Sequence, residues 1–106
     1  MARPRHAKPD AVQGEIVQDL RRLGFLVLDV SSLAPLGFDI LVLGYSRKVY
    51  RPMWLAVEVK SSAGAVLTER EAEMLAIAQR DFGPYAPLIV ARCAEEVVDW
   101  FGARRV

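Results

Sequence analysis

The sequence is poor in the residues that build soft-metal sites and covalent cross-links. It has one cysteine, Cys93, and one histidine, His6. A single cysteine excludes an intrachain disulfide and fits a reducing compartment. One Cys and one His cannot supply the ligands of a zinc site. The net charge is only +1, so any attraction for phosphates must come from local clusters of Lys and Arg. No run approaches the ~18 consecutive apolar residues that a membrane span needs. The basic opening, Met1 to Pro9, has no apolar stretch behind it and is not a signal peptide. These features lead to the expectation of a cytoplasmic protein with no membrane partner.

What is present is a globular composition. Hydrophobic residues make up 53 % of 106 positions and charged residues 25 %, which argues against disorder. That length is one domain, with a modest core that a dimer would reinforce. Residues 1–9 read as a flexible basic arm and residues 10–106 as the single domain.

Hydrophobic periodicity gives the element order α-β-β-β-α-β-α. Val12, Ile16, Leu20 and Leu23 recur at helical spacing over residues 10–23. Asp10 and Gln13 have capping-box spacing at the start, and Gly24 ends the helix. Strands follow over 25–30, 38–43 and 53–60, with a polar turn over 44–52 that carries Arg47, Lys48 and Arg51. Adjacent strands of this kind pair most simply as a meander. A second helix spans 68–82, with Thr68 and Glu71 in capping-box spacing. The apolar strand 88–91 reads as buried on both faces, as a strand reached by a helical crossover is. A last helix covers 94–102, with Ala94, Val97, Val98 and Phe101 on one side. The expected fold class is α/β, a small mixed sheet flanked by helices.

The chemistry lies in the acids embedded in apolar strands. Asp39 sits between Phe38 and Ile40, and Glu58 between Val57 and Val59. A carboxylate buried without a partner costs several kcal/mol, on the order of the effective desolvation penalty of an ion. A hard divalent cation offsets that cost, because carboxylate oxygens are its preferred ligands. Side chains alternate along a strand, so Glu58 and Lys60 share a face. The carboxylate can then hold a metal while the ammonium orients a water or stabilises charge on a phosphate. The competing reading is a plain Glu58–Lys60 salt bridge.

The ordered run of motifs resembles the PD-(D/E)XK nuclease superfamily. The signature corresponds to Pro35-Leu-Gly-Phe-Asp39, a β-turn, and Val57-Glu-Val-Lys60. The surroundings are most similar to the VRR-NUC branch: Gly37-Phe-Asp-Ile40, then Val57-Glu-Val-Lys60, then Gly64-Ala-Val-Leu-Thr-Glu-Arg-Glu71 opening a helix, then Val90-Ala-Arg92. The archaeal Holliday-junction resolvases share a first helix that ends in Gly-Phe, here Gly24-Phe25. The likeness covers roughly residues 10–102. It implies a restriction-endonuclease-like fold and hydrolysis of DNA phosphodiesters, including branched or double-stranded DNA and Holliday junctions. It implies Mg²⁺, with Mn²⁺ as a substitute, held by Asp39, Glu58 and the Val59 carbonyl, and Lys60 assisting catalysis. A homodimer would match the near-two-fold shape of a four-way junction. The family also places an acid on its first helix. Glu15 is the natural candidate, about 100° from Ile16 on the helical wheel. Asp19 and Asp10 are the alternatives, and all three also fit a solvated helix face. The family carries Gln where this chain has Glu71, which is either a third acidic ligand or half of the Thr68 capping box. The alternative to an enzyme is a catalytically inactive DNA-binding or assembly module of the same fold.

Among the smaller signals, Ser31 and Ser32 are placed to contact a phosphate or simply to make a loop. Trp54 shares the parity of Glu58 and reads as core or as a wall of the site. Cys93 reads as a small packed residue. The basic turn reads as a phosphate grip or a solvated loop.

Overall fold

In a computed structural model the described backbone covers residues 4–32, 38–61, 66–82 and 87–102, with side chains described from residue 11 and not at 82. The side chains of His6 and Asp10, and all of Pro35, Gly37, Gly64, Gly83 and Pro84, lie outside the described residues.

The elements are α1 (Pro4–Arg22), β1 (Leu26–Asp29), β2 (Ile40–Ser46), β3 (Arg51–Val59), α2 (Glu69–Ile77), a π-helical turn (Ala78–Phe82), β4 (Leu88–Ala91) and α3 (Ala94–Phe101). The four strands form one sheet in the order β1-β2-β3-β4. The first three make an antiparallel meander, and β4 joins β3 in parallel after the crossover through α2. The fold is thus a small mixed α/β domain with the expected order of elements. No described helix is long and apolar enough to cross a membrane.

The first helix begins at Pro4, inside the segment read as an arm, so Asp10 is an interior residue and not an N-cap. Proline is accommodated in a first turn because that N–H has no helical acceptor anyway. Pro9 lies further in, where it removes one helical hydrogen bond. The C-terminus follows expectation. Gly24 has φ +97°, its N–H donates to the Arg21 carbonyl at 3.1 Å, and the Phe25 N–H donates to the Leu20 carbonyl at 3.1 Å. These two bonds are a Schellman cap. Leu23 lies beyond the last turn and is half exposed, so it is not part of the buried stripe; Val17 takes its place beside Ile16 and Leu20.

The core is on one side of the sheet. Ile16, Val17 and Leu20 of α1 and Val97, Val98 and Phe101 of α3 pack on Val27, Ile40, Val42, Leu55, Val57 and Val59. Gly44 belongs to the same side. A Cβ there would stand 2.4 Å from the Phe25 ring, which itself packs at 5.1 Å on the ring of Phe101.

The hairpin turn is shorter than expected, because β2 runs to Ser46 and β3 starts at Arg51. The buried Ser46 hydroxyl accepts from the N–H groups of Lys48 and Val49. The Arg47 N–H donates to the Phe101 carbonyl at 2.8 Å, and the Arg47 and Lys48 side chains lie beside Gly102, the left-handed C-cap of α3. The basic turn therefore sits against the negative end of a helix dipole. Two further expectations are corrected. Cys93 is exposed, at the N-cap position of α3, because the buried face of that helix begins only at Val97. Trp54 is 44 % exposed and is not core, because it lies on the sheet face opposite the α1/α3 core.

Candidate functional site

Asp39 stands where β2 parts from β3. Its N–H still donates to the Val57 carbonyl at 2.9 Å, and its own carbonyl accepts from the Val30 N–H at 2.9 Å. One step further along β3, the Val59 N–H has no strand opposite it. The Asp39 carboxylate supplies that acceptor through Oδ2, at 2.8 Å. The N–H and C=O of a strand residue point the same way, and the N–H of Lys60 is committed to the other neighbour, at the Ala91 carbonyl. The Val59 carbonyl is therefore aimed toward the Asp39 side.

The β2–β3 pairing ends at Ile40↔Val57, one residue short of both acids, and the Asp39 charge still acts on Glu58. Glu58 is buried, at 6 % exposure, in a strand whose other buried residues are all apolar. Lys60 lies two residues on, at the same parity. Its Nζ is 3.5 Å from Glu58 Oε2 and 2.8 Å from Glu71 Oε1. The plain Glu58–Lys60 bridge thus exists, but the closer partner of Lys60 is Glu71.

Glu71 fulfils the capping role expected of it. The Glu71 N–H donates to Thr68 Oγ1 at 3.1 Å, and Glu71 Oε1 accepts from the Thr68 N–H at 2.9 Å. The same Oε1 accepts from Lys60. One atom therefore ties the start of α2 to the end of β3.

The electrostatics follow from this crowding. Burial raises the pKa of Glu58 to about 8, helped by a hydrogen bond shared with Glu71 and by the charges of Asp39 and Glu71; Lys60 opposes the rise. Burial also raises that of Asp39, against the Val59 N–H that favours its anion, and the charges of Glu71 and Asp29 push the same way. Glu71 is itself subject to desolvation, yet its bonds from Lys60 and Thr68 outweigh this and hold it down at about 2. Lys60 loses some basicity to burial and gains more from Glu71 and Glu58, so its pKa is raised. Three acids share one cation here, and Glu58 is the member that keeps a proton.

The other candidates fall elsewhere. Glu15 is exposed on α1 and is not among the charges that act on Asp39 or Glu58, because Ile16 and Val17 are the residues turned to the sheet. Asp19 is exposed and pairs with Arg22 at 2.5 Å. Ser31 is committed to Asp29, through its hydroxyl at 2.7 Å and its N–H at 3.1 Å. Asp29 itself was not singled out from sequence. It ends β1 opposite Ile40, beside Asp39, and also accepts from Gln13 of α1 at 3.0 Å. Its serine partner two residues on was the available signal. Arg51 is seven residues from Glu58 along β3, roughly 23 Å at strand rise, so the basic turn is at the far end of the hairpin from the acids.

Among the described residues no three of His, Cys, Asp and Glu are grouped closely enough to hold a metal ion. The donors nearest one another are hard oxygens: the Asp39 carboxylate bonded at the Val59 N–H, and the Glu58 carboxylate, on which the Asp39 charge acts. Carboxylate oxygens are ligands of hard divalent cations rather than of soft ones. Compared with protein-family models, with curated proteins and with solved structures, the chain matches none.

Proposed function

We propose that this protein is a divalent-cation-dependent phosphodiesterase of restriction-endonuclease-like fold that hydrolyses DNA. The observation that carries the reading is Glu58: a buried acid that feels the charges of Asp39 and Glu71, in a cluster where carboxylates outnumber their cation. The motif resemblance directs the substrate to DNA, branched forms included, and the mixed four-stranded sheet is compatible with that fold.

Asp39, Glu58 and the Val59 carbonyl are the groups that would hold Mg²⁺ or Mn²⁺. When bound, the cation supplies positive charge beside the phosphate and a more acidic water. The protein's own groups do the rest. Asp39 Oδ2 is fixed by the Val59 N–H, so its carboxylate is oriented before any ligand arrives. Glu58 must release its proton to present an anionic oxygen. Lys60 is held between Glu58 and Glu71, where its ammonium can meet a developing negative charge on a phosphate oxygen. Glu71 joins the site by gripping Lys60, and Glu15 is left out of the set.

The second reading is a module of the same fold without catalysis. It is favoured by the closed Lys60–Glu71 contact and by the absence of a third ligand among the described residues. The deciding experiment is cleavage of linear, flapped and four-way DNA with Mg²⁺ or Mn²⁺, comparing wild type with Asp39→Asn and Glu58→Gln, each checked for native folding. Cleavage by wild type alone supports the nuclease. Binding of DNA with no cleavage by folded wild type leaves the second reading.

A further inference from the structure

A strip of the β2–β3 hairpin leads from the acid cluster to the hairpin tip. Trp54 shares the parity of Glu58 and lies four residues from it, roughly 13 Å at strand rise. Leu43 pairs with Trp54 and Tyr45 with Pro52, so Tyr45 and Trp54 are diagonal neighbours, close enough to meet one ligand. Trp54 is 44 % exposed and Tyr45 54 %. Neither ring stacks on another aromatic side chain among the described residues. At the tip Tyr50 is 76 % exposed. Its backbone is held at φ 59°, a conformation that bulky residues rarely adopt, and its N–H donates to the Ser46 carbonyl at 2.8 Å. Arg47, Lys48 and Arg51 flank it in the chain and are exposed. None of the three has an ion pair among the described residues.

We propose that this strip binds single-stranded nucleic acid, a reading that rests on the phosphodiesterase assignment for what Glu58 and Lys60 then do to the strand. Unpaired bases stack on Trp54 and Tyr45, and the phosphates beyond them meet the cations of the tip.

The rings select an unpaired strand first. Every base has a π-face, and a free aromatic ring takes it without regard to sequence. In a duplex those faces are already closed on one another. Charge spacing selects it again. Between Arg51 and Lys60 neither β3 nor β2 carries a Lys or Arg. A duplex, held chiefly through its phosphates, would find no cation along that stretch. A strand that turns bases to the sheet and phosphates to the tip uses both parts. Aromatic side chains on a sheet combined with nearby cations are how single strands are bound elsewhere. The dipole of α3 accounts for Arg47 and Lys48, whose side chains lie beside Gly102. It does not account for the exposed rings.

The test is binding by the full chain without metal, in excess chelator, followed by fluorescence anisotropy. The probes are labelled oligothymidylate and oligouridylate of about ten nucleotides, within the usual size of a single-strand site, and a hairpin-closed DNA duplex of the same length. Tighter binding of either single strand than of the duplex supports the proposal, and the ratio of the two identifies the sugar. Trp54→Leu and Tyr45→Leu, which keep apolar bulk, should each weaken binding about fivefold or more, the lower end for one stacked base. Trp54→Phe should keep most of the affinity. Arg51→Ala should reduce the slope of log affinity against log salt by about 0.7, one phosphate contact. Leu23→Ala, at a half-exposed leucine off this strip, should change nothing. Circular dichroism checks each fold; should one leucine variant fail to fold, the other carries the test. A folded wild type that binds neither single strand, or binds the duplex at least as tightly, overturns the proposal. So do folded leucine variants that bind like wild type. Metal-dependent cleavage of duplex DNA by a chain that ignores single strands removes the strip and leaves the phosphodiesterase; single-strand binding without cleavage does the reverse.

Discussion

The Asp39 carboxylate and the Val59 amide are joined across two strands by a hydrogen bond of 2.8 Å, at the point where β2 stops offering β3 a backbone acceptor. One side chain thus has two separable duties, completing a ladder and presenting an oxygen. Asp39→Ala removes both. It leaves a buried N–H without an acceptor, at a cost of about 1–3 kcal/mol. Asp39→Asn keeps an acceptor and loses the charge. Urea melts should show a clear loss for Ala and a smaller one for Asn, while both variants abolish cation-dependent cleavage. Equal destabilisation by the two would contradict the hydrogen-bond role.

The Glu58 pKa gives a signed pH dependence. Its ordinary value is 4.5, and burial lifts it to about 8 in the folded chain. Between those values the folded state holds a proton that the unfolded state has released. The slope of unfolding free energy with pH is then negative, so stability falls as pH rises through this window. Glu71 acts in the opposite sense: held at about 2, it gives stability above its unfolded pKa that is lost as pH falls from about 4.5 toward 2. Denaturant midpoints without added cation should therefore peak in the mildly acidic range. In Glu58→Gln the alkaline decline should shrink while the acid limb stays.

Cation binding should reverse that alkaline decline. Protons and a cation compete for Glu58, and a ligand that binds only the folded state raises its melting temperature. Mn²⁺ should raise the melting temperature at pH 8 and have little effect at pH 5. The shift should vanish in Asp39→Asn. A wild type indifferent to Mn²⁺ at both values of pH would remove the main support for the catalytic reading.

Glu71 can be dissected by one conservative change. Glutamine also completes a capping box, so Glu71→Gln keeps the Thr68 contact and removes the charge that holds Lys60. Thr68→Ala does the reverse, at about 1 kcal/mol for the lost cap. Glu71→Gln should lower kcat of a cleavage-competent enzyme and flatten the acid limb of the stability profile. Thr68→Ala should lower melting temperature with little change in kcat.

Gly44 tests the packing of the core. A Cβ at 2.4 Å from the Phe25 ring forces that ring and its Phe101 neighbour to move. Gly44→Ala should destabilise by about 1–3 kcal/mol, as overpacking does, measurable by thermal or urea melts.

Much of this was legible before the fold was known, because local chemistry determines it. The Thr68–Glu71 box, the Gly24 cap and the parity that unites Glu58 with Lys60 follow from spacing alone. What escaped depends on how elements face one another. The rotation of α1 turns Ile16 and Val17 inward and leaves Glu15 outside, and no pattern within the helix fixes that angle against the sheet. Parity put Trp54 on the face of Glu58 without saying whether that face is covered, so its exposure was not legible. Asp29 ends an ordinary strand, and only the pairing of β1 with β2 brings it beside Asp39.

The short connection between β2 and β3 is a ruler for a site it never touches. Four residues, 47–50, join Ser46 to Arg51, pinned by the Ser46 hydroxyl and by a left-handed Tyr50 at φ 59°. Slipping the pairing by one position would send Glu58 into the hydrophobic interior and turn Val57 and Val59 outward. The length of that connector, some seven strand residues away, therefore decides whether the two acids meet at all.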